Sequence, residues 1–505
     1  MKRPHMNNIL DPPPGDAKPS LDSGAFLDLK KKSLSGMVAL FIRQVLVKLI
    51  FFGGNIVLAR LLAPQIFGIY AIVNFVVTFF STFGDVGIGA ALIQKKGDLS
   101  REELSTTFWL QQMLVWSVVV VVMLAAPLAL KVYSTLPPVG VWLIRAMALS
   151  FLFSSLKTIP AILMEREIDF NRIAWVDITE NLAFQGVAIT GAFLGWEAWS
   201  FVAAAVTRGF LGAVLIYAFS RWRPSFHYRF ESVKGLVRFG LPYQGNQILN
   251  FIKDAVAPLF VGAYAGAAAV GYLNWARNIA YAPLIISETF GRVAFPAFSK
   301  LQDDKALLAR TTEHSIKIMS LIMFPIMATM IALGPELIHV VYTDKWMPGI
   351  YAFYCYCIPP MVVSIASPLY SAIMAQGKPS ILLIISSLFI LFEWGLGVVS
   401  VVLLGFTGAA MTQLIIVPLF TYFYKWILQK NNINIKIFIN VIYKIVAVLL
   451  SVCVVVYMKK IIVVNLMTLA IMSLVSIAIY LFAMLLMERA SLLEFGEYFK
   501  KIREK

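Results

Sequence analysis

The chain has 505 residues, of which 60% are hydrophobic and 14% charged, and its formal net charge is +16. Soluble proteins are about 45–50% apolar and about 25% charged, and a water-soluble chain cannot bury this much apolar surface. The composition therefore excludes a soluble enzyme, a disordered regulator and a secreted disulfide scaffold. It also excludes an outer-membrane barrel, because the apolar stretches are continuous rather than alternating.

The chain opens with a polar segment, residues 1–32, which ends in Lys30-Lys31-Lys32. No apolar stretch closely follows the initiator methionine, so we expect no cleaved signal peptide. The low hydrophobicity of this segment predicts a disordered cytoplasmic tail.

After the tail, fourteen apolar stretches are each long enough to cross a bilayer as a helix. We therefore predict an all-α integral membrane protein of about 14 transmembrane helices, which we number as spans 1 to 14. The predicted spans cover residues 33–59, 66–92, 104–130, 139–164, 171–194, 197–220, 235–261, 266–297, 312–333, 349–375, 380–404, 408–428, 438–458 and 461–487.

The basic residues are distributed unevenly between the two sides of the membrane. With the N-terminus inside, about 28 Lys and Arg residues fall in cytoplasmic segments, against about five in the outer loops. Because cytoplasmic loops are typically basic, this bias predicts that both termini are cytoplasmic. It also explains most of the positive charge without nucleic-acid binding.

The chain nearly repeats itself after about 205 residues. Because six helices separate the copies, the two halves should point the same way across the membrane, which is a transporter architecture. The matching motifs are Phe67-Gly68-Ile69-Tyr70 with Val270-Gly271-Tyr272, Phe83-Gly84-Asp85-Val86 with Phe290-Gly291-Arg292-Val293, and Leu194-Gly195-Trp196 with Leu404-Gly405-Phe406.

The repeat divides the chain into two six-helix lobes followed by two extra C-terminal helices. The predicted segments are the tail at 1–32, an N-lobe at 33–221, a cytoplasmic basic linker at 222–234, a C-lobe at 235–430, and spans 13 and 14 with a basic tail at 431–505.

Spans 1, 2, 7 and 8 carry polar residues at helical spacing, and the repeat places these spans at equivalent positions. We therefore predict that their polar faces line a shared aqueous cavity. Glu288 and Arg292 are four residues apart and could instead form a simple ion pair on one helix. The candidate cavity residues are Arg43, Gln44, Lys48, Asn74, Asp85, Asn246, Asn250, Lys253, Arg277, Tyr281, Glu288 and Arg292.

Ten basic and six acidic residues fall inside the spans, where a charge is costly. The positive surplus favours an anionic substrate such as a phosphate over an organic cation. The bases are Arg43, Lys48, Arg145, Lys157, Arg208, Lys253, Arg277, Arg292, Lys317 and Lys444; the acids are Asp85, Asp177, Glu180, Asp254, Glu288 and Glu393.

Sequence signatures of catalysis are absent. There is no HExxH zinc motif and no Walker phosphate-binding loop, and the four histidines are scattered. Cys355, Cys357 and Cys453 cannot form a disulfide framework, and we interpret them as small apolar residues that pack within helices. We therefore predict a protein that is not an enzyme and that needs no cofactor or metal.

Five motifs lie in and around spans 1 and 2: Ser35-Gly36, Leu58-Ala59-Arg60-Leu61-Leu62-Ala63-Pro64, Phe67-Gly68-Ile69-Tyr70, Phe83-Gly84-Asp85-Val86-Gly87 and Ala91-Leu92-Ile93-Gln94. Together they resemble the Wzx-type polysaccharide flippases of bacteria, which are members of the multidrug/oligosaccharidyl-lipid/polysaccharide exporter (MOP) superfamily. The nearest likeness is to the colanic-acid type. Fourteen spans in two six-helix lobes fit the same family.

The resemblance implies that the protein moves an undecaprenyl-diphosphate-linked oligosaccharide across the bacterial cytoplasmic (inner) membrane by alternating access, for surface polysaccharide export. The implied partners are this substrate, membrane lipids and other polysaccharide-assembly proteins. Basic residues on spans 1, 7 and 8 are a theme of the family, which Arg43, Lys48, Lys253 and Arg277 match by helix only. We expect them, with Arg292, to bind the diphosphate.

The sequence shows no nucleotide site, so the driving force must be an ion gradient or consumption of the product. Asp85 has no arginine one turn away on its span, whereas Glu288 has Arg292. Because a nearby arginine keeps a carboxylate charged, we expect Asp85 rather than Glu288 to carry a proton. The alternative is that Asp85 caps or pairs at a helix end.

Two other functions remain open on the sequence alone. One is a cation-coupled multidrug exporter of the same fold, which the cationic interior disfavours. The other is a membrane glycosyl or acyl transferase, which the short outer loops disfavour.

Overall fold

The computed structural model describes residues 43–44, 46–82, 84, 87–95, 97, 99–167, 169–229, 231 and 233–488. Every regular secondary-structure element in these residues is helical, which confirms the predicted all-α class. The predicted N-terminal tail, the end of the C-terminal tail and Asp85 lie outside the described residues.

We number the α-helices in chain order. We keep the predicted lobes as names for the two stretches of chain. The stretch named the N-lobe contains α1 (46–61), α2 (Pro64–Thr82), α3 (Ile88–Gln94), α4 (Arg101–Ala125), α5 (Leu128–Val132), α6 (Gly140–Leu156), α7 (Thr158–Arg166), α8 (Phe170–Phe193) and α9 (Ala198–Phe219). The C-lobe contains α10 (Lys234–Asp254), α11 (Gly262–Tyr264), α12 (Ala267–Ala280), α13 (Ile285–Ser299), α14 (Lys305–Ala332), α15 (Gly334–Leu337), α16 (Ile350–Ala375), α17 (Pro379–Leu404) and α18 (Thr407–Lys430). Two further helices, α19 (Ile437–Met458) and α20 (Leu466–Met487), follow the C-lobe.

Ten helical stretches of the described residues are long and apolar enough to cross a membrane. They correspond to the predicted spans 2, 3, 4, 6 and 9 to 14. The other four predicted spans are also helical, at α1, α8, α10 and α12–α13, but the described part of α1 is short, α8 carries charges, and the others are broken. The chain is therefore a multi-pass, all-α membrane protein.

Two helices of the C-lobe break within the membrane-spanning bundle. α10 continues into a π-helix at Val256–Val261, and α12 ends at a 3₁₀ turn, Ala282–Leu284; each break contains a proline. Proline lacks an amide hydrogen and cannot continue the hydrogen-bond ladder of an α-helix. Near the first break, Trp394 of α17 donates its indole N–H to the carbonyl oxygen of Ile252 at 2.9 Å. The neighbouring helix thus fixes the end of α10.

The internal repeat is visible where α2 packs against α12. A β-carbon added at Gly68 would lie 1.6 Å from the carbonyl oxygen of Ala267, and one added at Gly271 would lie 2.0 Å from that of Pro64. Pro64 and Ala267 are the first residues of α2 and α12, so the same contact occurs in both directions. Two parallel lobes related by an axis along the bundle account for this reciprocity.

The helices run between two ends of the bundle, which we name by the connections they hold. The distal end holds the α1–α2, α11–α12 and α17–α18 connections. The proximal end holds the α3–α4, α9–α10 and α13–α14 connections. The distribution of basic residues predicts that the proximal end is cytoplasmic.

The last two helices are attached to α14 through buried charges. Lys444 of α19 is fully buried, and its Nζ lies 3.1 Å from a carboxylate oxygen of Glu488, directly after α20. Lys317 of α14 lies 3.6 Å from the other oxygen of the same carboxylate. Because an unpaired buried charge is strongly destabilising, these pairs explain two of the bases inside the spans without a role in transport.

Candidate functional site

Hydrogen bonds between α1 and the segment after α15 join the two lobes at the distal end. Arg60 donates its Nε–H to the carbonyl oxygen of Val341 at 2.8 Å and also binds the preceding carbonyl. In return, the Lys345 ammonium donates to the carbonyl oxygen of Arg60 at 2.7 Å. The Trp346 indole donates to that of Ala59 at 2.9 Å. We call this set of residues the distal latch: Ala59, Arg60, Val340, Val341, Lys345 and Trp346.

Trp346 also forms the centre of an aromatic cluster beneath the latch. Its side chain is fully buried, and its ring centroid lies 5.2 Å from those of Phe67 and Trp275 and 6.2 Å from that of Tyr272. Phe67 belongs to the N-lobe, whereas the other three belong to the C-lobe. The close contact of α2 and α12 at Gly68 and Gly271, which we call the glycine crossing, lies at the same end. Together, the glycine crossing and the aromatic cluster close the distal end.

The lobes also meet at the proximal end. Gly87, directly before α3, has a φ of 69°, and a β-carbon there would lie 2.3 Å from the carbonyl oxygen of Gly240 on α10. Only glycine suits both the left-handed backbone and the close approach. Gln244 of α10 donates to the carbonyl oxygen of Thr82 at 2.6 Å. The space between the lobes is therefore bounded by inter-lobe contacts at both ends.

A cavity of about 410 Å³ lies between these two sets of contacts, and we call it the central cavity. Its wall combines aromatic rings from both lobes, such as Tyr70 and Trp275, with amide side chains. Among the described residues, Arg208 and Asp254 are its charged members. The amides are Asn55, Asn74, Asn181, Asn274 and Asn278.

A second cavity, of about 460 Å³, lies among the helices of the C-lobe, and we call it the C-lobe cavity. Arg277 and Asp254 form an ion pair there, with 2.7 Å between Nη2 and Oδ1, and the guanidinium lies 5.6 Å from the ring of Tyr281. Glu393 accepts two hydrogen bonds from the amide of Gln413, at 2.7 and 2.8 Å. This cavity therefore brings together an ion pair and a carboxylate–amide pair.

Helix α12 separates the two cavities. Asn274 and Asn278 line the central cavity, whereas Arg277 and Tyr281 line the C-lobe cavity. Residues four apart share a face of an α-helix, so each pair occupies one of two adjacent faces. Asp254 lines both cavities and connects them through its pair with Arg277.

Basic side chains inside the N-lobe form ion pairs with two carboxylates of α8. Arg43 lies 3.2 Å from Asp177 of α8. Glu180, one turn further along α8, lies 2.5 Å from the Lys157 ammonium and 3.5 Å from Nε of Arg208. Most of the N-lobe bases predicted inside the spans therefore have acidic partners on neighbouring helices.

Four of the predicted site residues line a cavity. Asn74 lies in the wall of the central cavity, and Lys253, Arg277 and Tyr281 lie in that of the C-lobe cavity. The sequence predicts one shared cavity for the polar faces of spans 1, 2, 7 and 8. The structure instead divides their residues between two cavities, because α12 presents a different face to each.

The other predicted site residues line neither cavity or are not described. The central cavity meets α1 at Phe51, Phe52, Asn55 and Ala59, so Lys48 lies one turn, about 5 Å, before the first of them and does not itself line the cavity. No ion pair joins Glu288 to Arg292, although the structure describes both residues. Asn246 and Asn250 belong to α10, but their side chains lie outside the description, as does Asp85. The described residues that line neither cavity are Arg43, Gln44, Lys48, Glu288 and Arg292, of which Lys48, Glu288 and Arg292 are exposed.

Several cavity residues are not among the predicted site residues. The sequence identifies Arg208 and Glu393 as charges inside spans, but it gives no reason to place either at a cavity. Asn181, Asn278 and Gln413 are isolated amides in helices, and a neutral amide leaves no charge signal in a sequence. Their grouping becomes apparent only when the helices are packed.

Residues 57–350, more than half of the chain, match the family described as "Polysaccharide biosynthesis protein". The chain belongs to this family. It is 26% identical over 358 residues to the lipopolysaccharide biosynthesis protein WzxC of Escherichia coli (strain K12), a match that covers 70% of this chain and 72% of WzxC. It is 24% identical to the teichuronic acid biosynthesis protein TuaB of Bacillus subtilis (strain 168), over 67% of this chain and 68% of TuaB. It is 26% identical to the succinoglycan biosynthesis transport protein ExoT of Rhizobium meliloti (strain 1021), over 57% of this chain and 58% of ExoT.

Among the solved structures that share the fold are a flippase and a drug transporter. The lipid II flippase MurJ, in an inward closed conformation, superposes with a TM-score of 0.72 at 15% identity and covers 90% of this chain and 99% of MurJ. An inward-facing multidrug resistance MATE family transporter of the MOP superfamily superposes with a TM-score of 0.60 at 15% identity, and the match covers 78% of this chain and 98% of the transporter. These likenesses establish the fold alone. They confirm the fold that the sequence resemblance implies.

Proposed function

We propose that this protein is a flippase that moves an undecaprenyl-diphosphate-linked oligosaccharide from the inner to the outer leaflet of the bacterial cytoplasmic membrane. The observation that carries the proposal is the central cavity, which lies between two repeat-related lobes and combines amides with aromatic rings. Family membership supports a polysaccharide precursor as the substrate. Translocation of this kind needs no covalent chemistry.

The wall of the central cavity suits a sugar. Asparagine side chains both donate and accept hydrogen bonds, which is what the hydroxyl groups of a sugar require. Aromatic rings such as Tyr70 and Phe51, of which Phe51 is 37% exposed, supply flat apolar surfaces for the C–H faces of a sugar ring. A volume of about 410 Å³ is in the range of small-ligand sites and accommodates part of an oligosaccharide.

The C-lobe cavity suits the diphosphate. Arg277 presents a planar guanidinium, which binds phosphate oxygens in pairs, and Lys253 adds a second positive charge. In this structure Asp254 forms an ion pair with Arg277. A bound diphosphate would therefore replace Asp254 as the partner of the guanidinium. Arg43, Lys48 and Arg292 would have to move to reach the same substrate.

Alternating access requires the two ends of the central cavity to open in turn. The distal latch and the glycine crossing would separate to release the sugar outside. The contacts of Gly87 and Gln244 with the opposite lobe would separate to admit it from the cytoplasm. The polyprenyl tail would remain in the bilayer throughout.

The driving force stays a prediction. Glu288 is exposed and lines neither cavity, so a coupling role for it lacks a path to the substrate. Asp85 remains the proposed proton carrier of the N-lobe. Its substitution by asparagine, with transport measured under an imposed pH gradient, tests that role.

The proposal is tested in cells of the source organism that lack the protein. We expect undecaprenyl-diphosphate-linked oligosaccharide to accumulate in the inner leaflet of their spheroplasts, where an external glycosidase cannot reach it, while ethidium efflux stays normal. Normal exposure of the lipid-linked sugar together with lost ethidium efflux would overturn the proposal in favour of a drug exporter.

A further inference from the structure

Arg208 projects from α9 into the central cavity and rests on a buried carboxylate. The side chain of Arg208 is 47% exposed, whereas that of Glu180, whose Oε2 lies 3.5 Å from Nε of Arg208, is 1% exposed. The contact is an ion pair without a hydrogen bond, and the carboxylate lies behind the arginine, where the cavity does not reach.

The surroundings of Glu180 are built to hold this carboxylate. Gly212 lies one turn after Arg208 on α9, and a β-carbon there would lie 1.8 Å from a carboxylate oxygen of Glu180. The missing side chain thus leaves the space that the carboxylate occupies. Lys157 binds that same oxygen at 2.5 Å. Two cations share one anion, so the cluster keeps a net positive charge, and Arg208 is the member that carries it into the cavity.

Arg208 differs from the other arginines near the cavities in its unused donors. Arg43 pairs with Asp177, and Arg277 pairs with Asp254 through a terminal amino group. The structure gives Arg208 a single polar contact among the described residues, through Nε, so its two terminal amino groups remain available. A guanidinium with both terminal groups free is suited to bidentate binding of an oxyanion.

The depth of Arg208 points to the same role. It lies ten residues from the start of α9 at the distal end, which corresponds to about 15 Å, or half of the hydrocarbon thickness of a bilayer. A positive charge is most costly at this depth, so ionisable residues there are by default functional.

We propose that Arg208, positioned by Glu180, is an anion-binding site of the N-lobe that contacts the diphosphate of the substrate inside the central cavity. This inference rests on the proposed flippase function and adds to it a contact in the central cavity, which the diphosphate makes before it reaches Arg277 in the C-lobe cavity. Asp254, which lines both cavities, marks the passage between the two contacts. The carboxylate of an acidic sugar shares the chemistry of the diphosphate, so the test includes both anions.

The test measures binding of undecaprenyl diphosphate to the purified full-length protein in detergent by tryptophan fluorescence, with uncharged undecaprenol as the reference lipid. Arg208→Gln should weaken binding of the diphosphate about tenfold and leave binding of undecaprenol unchanged. Arg208→Lys should give an intermediate loss, because lysine keeps the positive charge but cannot donate two parallel hydrogen bonds as a planar guanidinium does.

Arg172→Gln is the matched control. Arg172 also pairs through Nε, at 3.2 Å from Asp169, and its side chain is 51% exposed, but it lies at the proximal end and lines neither cavity. It should bind both lipids like the wild type. Equal affinity of Arg208→Gln and wild type for the diphosphate would overturn this inference and leave the flippase function standing.

Two further outcomes are decisive. If the wild type binds undecaprenyl diphosphate no better than undecaprenol, the proposed function itself fails. If sodium glucuronate competes with the wild type but not with Arg208→Gln, while the affinity for the diphosphate is unchanged, the site takes a sugar carboxylate and the diphosphate assignment is wrong.

Discussion

Arg60 donates its Nε–H to the main-chain carbonyl of Val341 at 2.8 Å and so ties the end of α1 in the N-lobe to the distal loop of the C-lobe. The bond is part of a reciprocal set, because Lys345 donates back to the carbonyl oxygen of Arg60 at 2.7 Å. All of these acceptors are main-chain oxygens. The latch therefore depends on the backbone positions of both lobes and has to break when the lobes separate at this end.

Removal of the two basic side chains of the latch should favour the state that is open at the distal end. The double variant Arg60→Ala/Lys345→Ala loses at least three hydrogen bonds worth about 1 kcal/mol each, offset in part by water. We expect the open state to be favoured by about 1–2 kcal/mol, a factor of roughly 5–30. The measurement is the rate at which an impermeant maleimide added outside labels Asn274→Cys in the central cavity.

This labelling requires a background without Cys355, Cys357 and Cys453. Lys131→Ala is the control, since Lys131 is an exposed base of α5 near the same end and lies outside the latch. An unchanged labelling rate in the double variant would show that the latch does not hold the distal end closed.

The glycine crossing predicts equal effects from two substitutions far apart in the sequence. Gly68→Ala and Gly271→Ala each place a methyl group within 2.0 Å of a carbonyl oxygen of the opposite lobe. Each should destabilise the closed packing by about 1–3 kcal/mol, as overpacked substitutions typically do. Thermal unfolding of the purified variants measures the loss. Gly186→Ala, where a β-carbon would meet nothing within 4 Å, should match the wild type, and equal stability of all three variants would contradict the crossing.

Arg277 should matter more for export than the other basic residues predicted from the sequence. Arg277→Ala removes the guanidinium of the C-lobe cavity and should lower export at least about tenfold at normal abundance. Arg292 is exposed and lines neither cavity, so the Arg292→Ala variant should export normally. Arg43→Ala should fall between them, because Arg43 is paired with Asp177 outside the cavities. Surface polysaccharide per cell, normalised to protein in the membrane, provides the comparison, and normal export by Arg277→Ala would remove it from the site.

The orientation is tested by cysteines at exposed positions of the two ends. Lys131→Cys lies at the distal end, and Lys305→Cys and Lys430→Cys lie at the proximal end. If the proximal end is cytoplasmic, a membrane-impermeant reagent added to intact cells should label the first position and neither of the others. The reverse pattern would invert the orientation and exchange the roles of the latch and the proximal contacts.

The fold could be predicted from the sequence because its signals are local. Continuous apolar stretches identify helices, and the pair Gly68 and Gly271 marks the repeat before any packing is known. The structure adds the reason for the pair, which is that each glycine meets a carbonyl oxygen at the start of the other's helix. The structure also shows a proline in each of the breaks that follow α10 and α12.

For the site, the sequence predicts which helices carry polar residues but not which of these residues meet, because the partner of each charge is on another helix. Nothing in the sequence shows that Arg43 meets Asp177 or that Glu180 is shared by Lys157 and Arg208. Those distances depend on how the helices cross. The same limit hides the distal latch, since its acceptors are main-chain carbonyls.

The movement of a lipid-linked sugar across a bilayer can be measured with the protein alone. The most direct measurement uses purified protein in liposomes that contain an undecaprenyl-diphosphate-linked oligosaccharide, with external periodate oxidising only the sugars in the outer leaflet. We predict that the sugars of the inner leaflet become accessible at a rate that rises with the amount of protein and falls in Arg277→Ala. A rate equal to that of protein-free liposomes, from a folded preparation, would contradict the account.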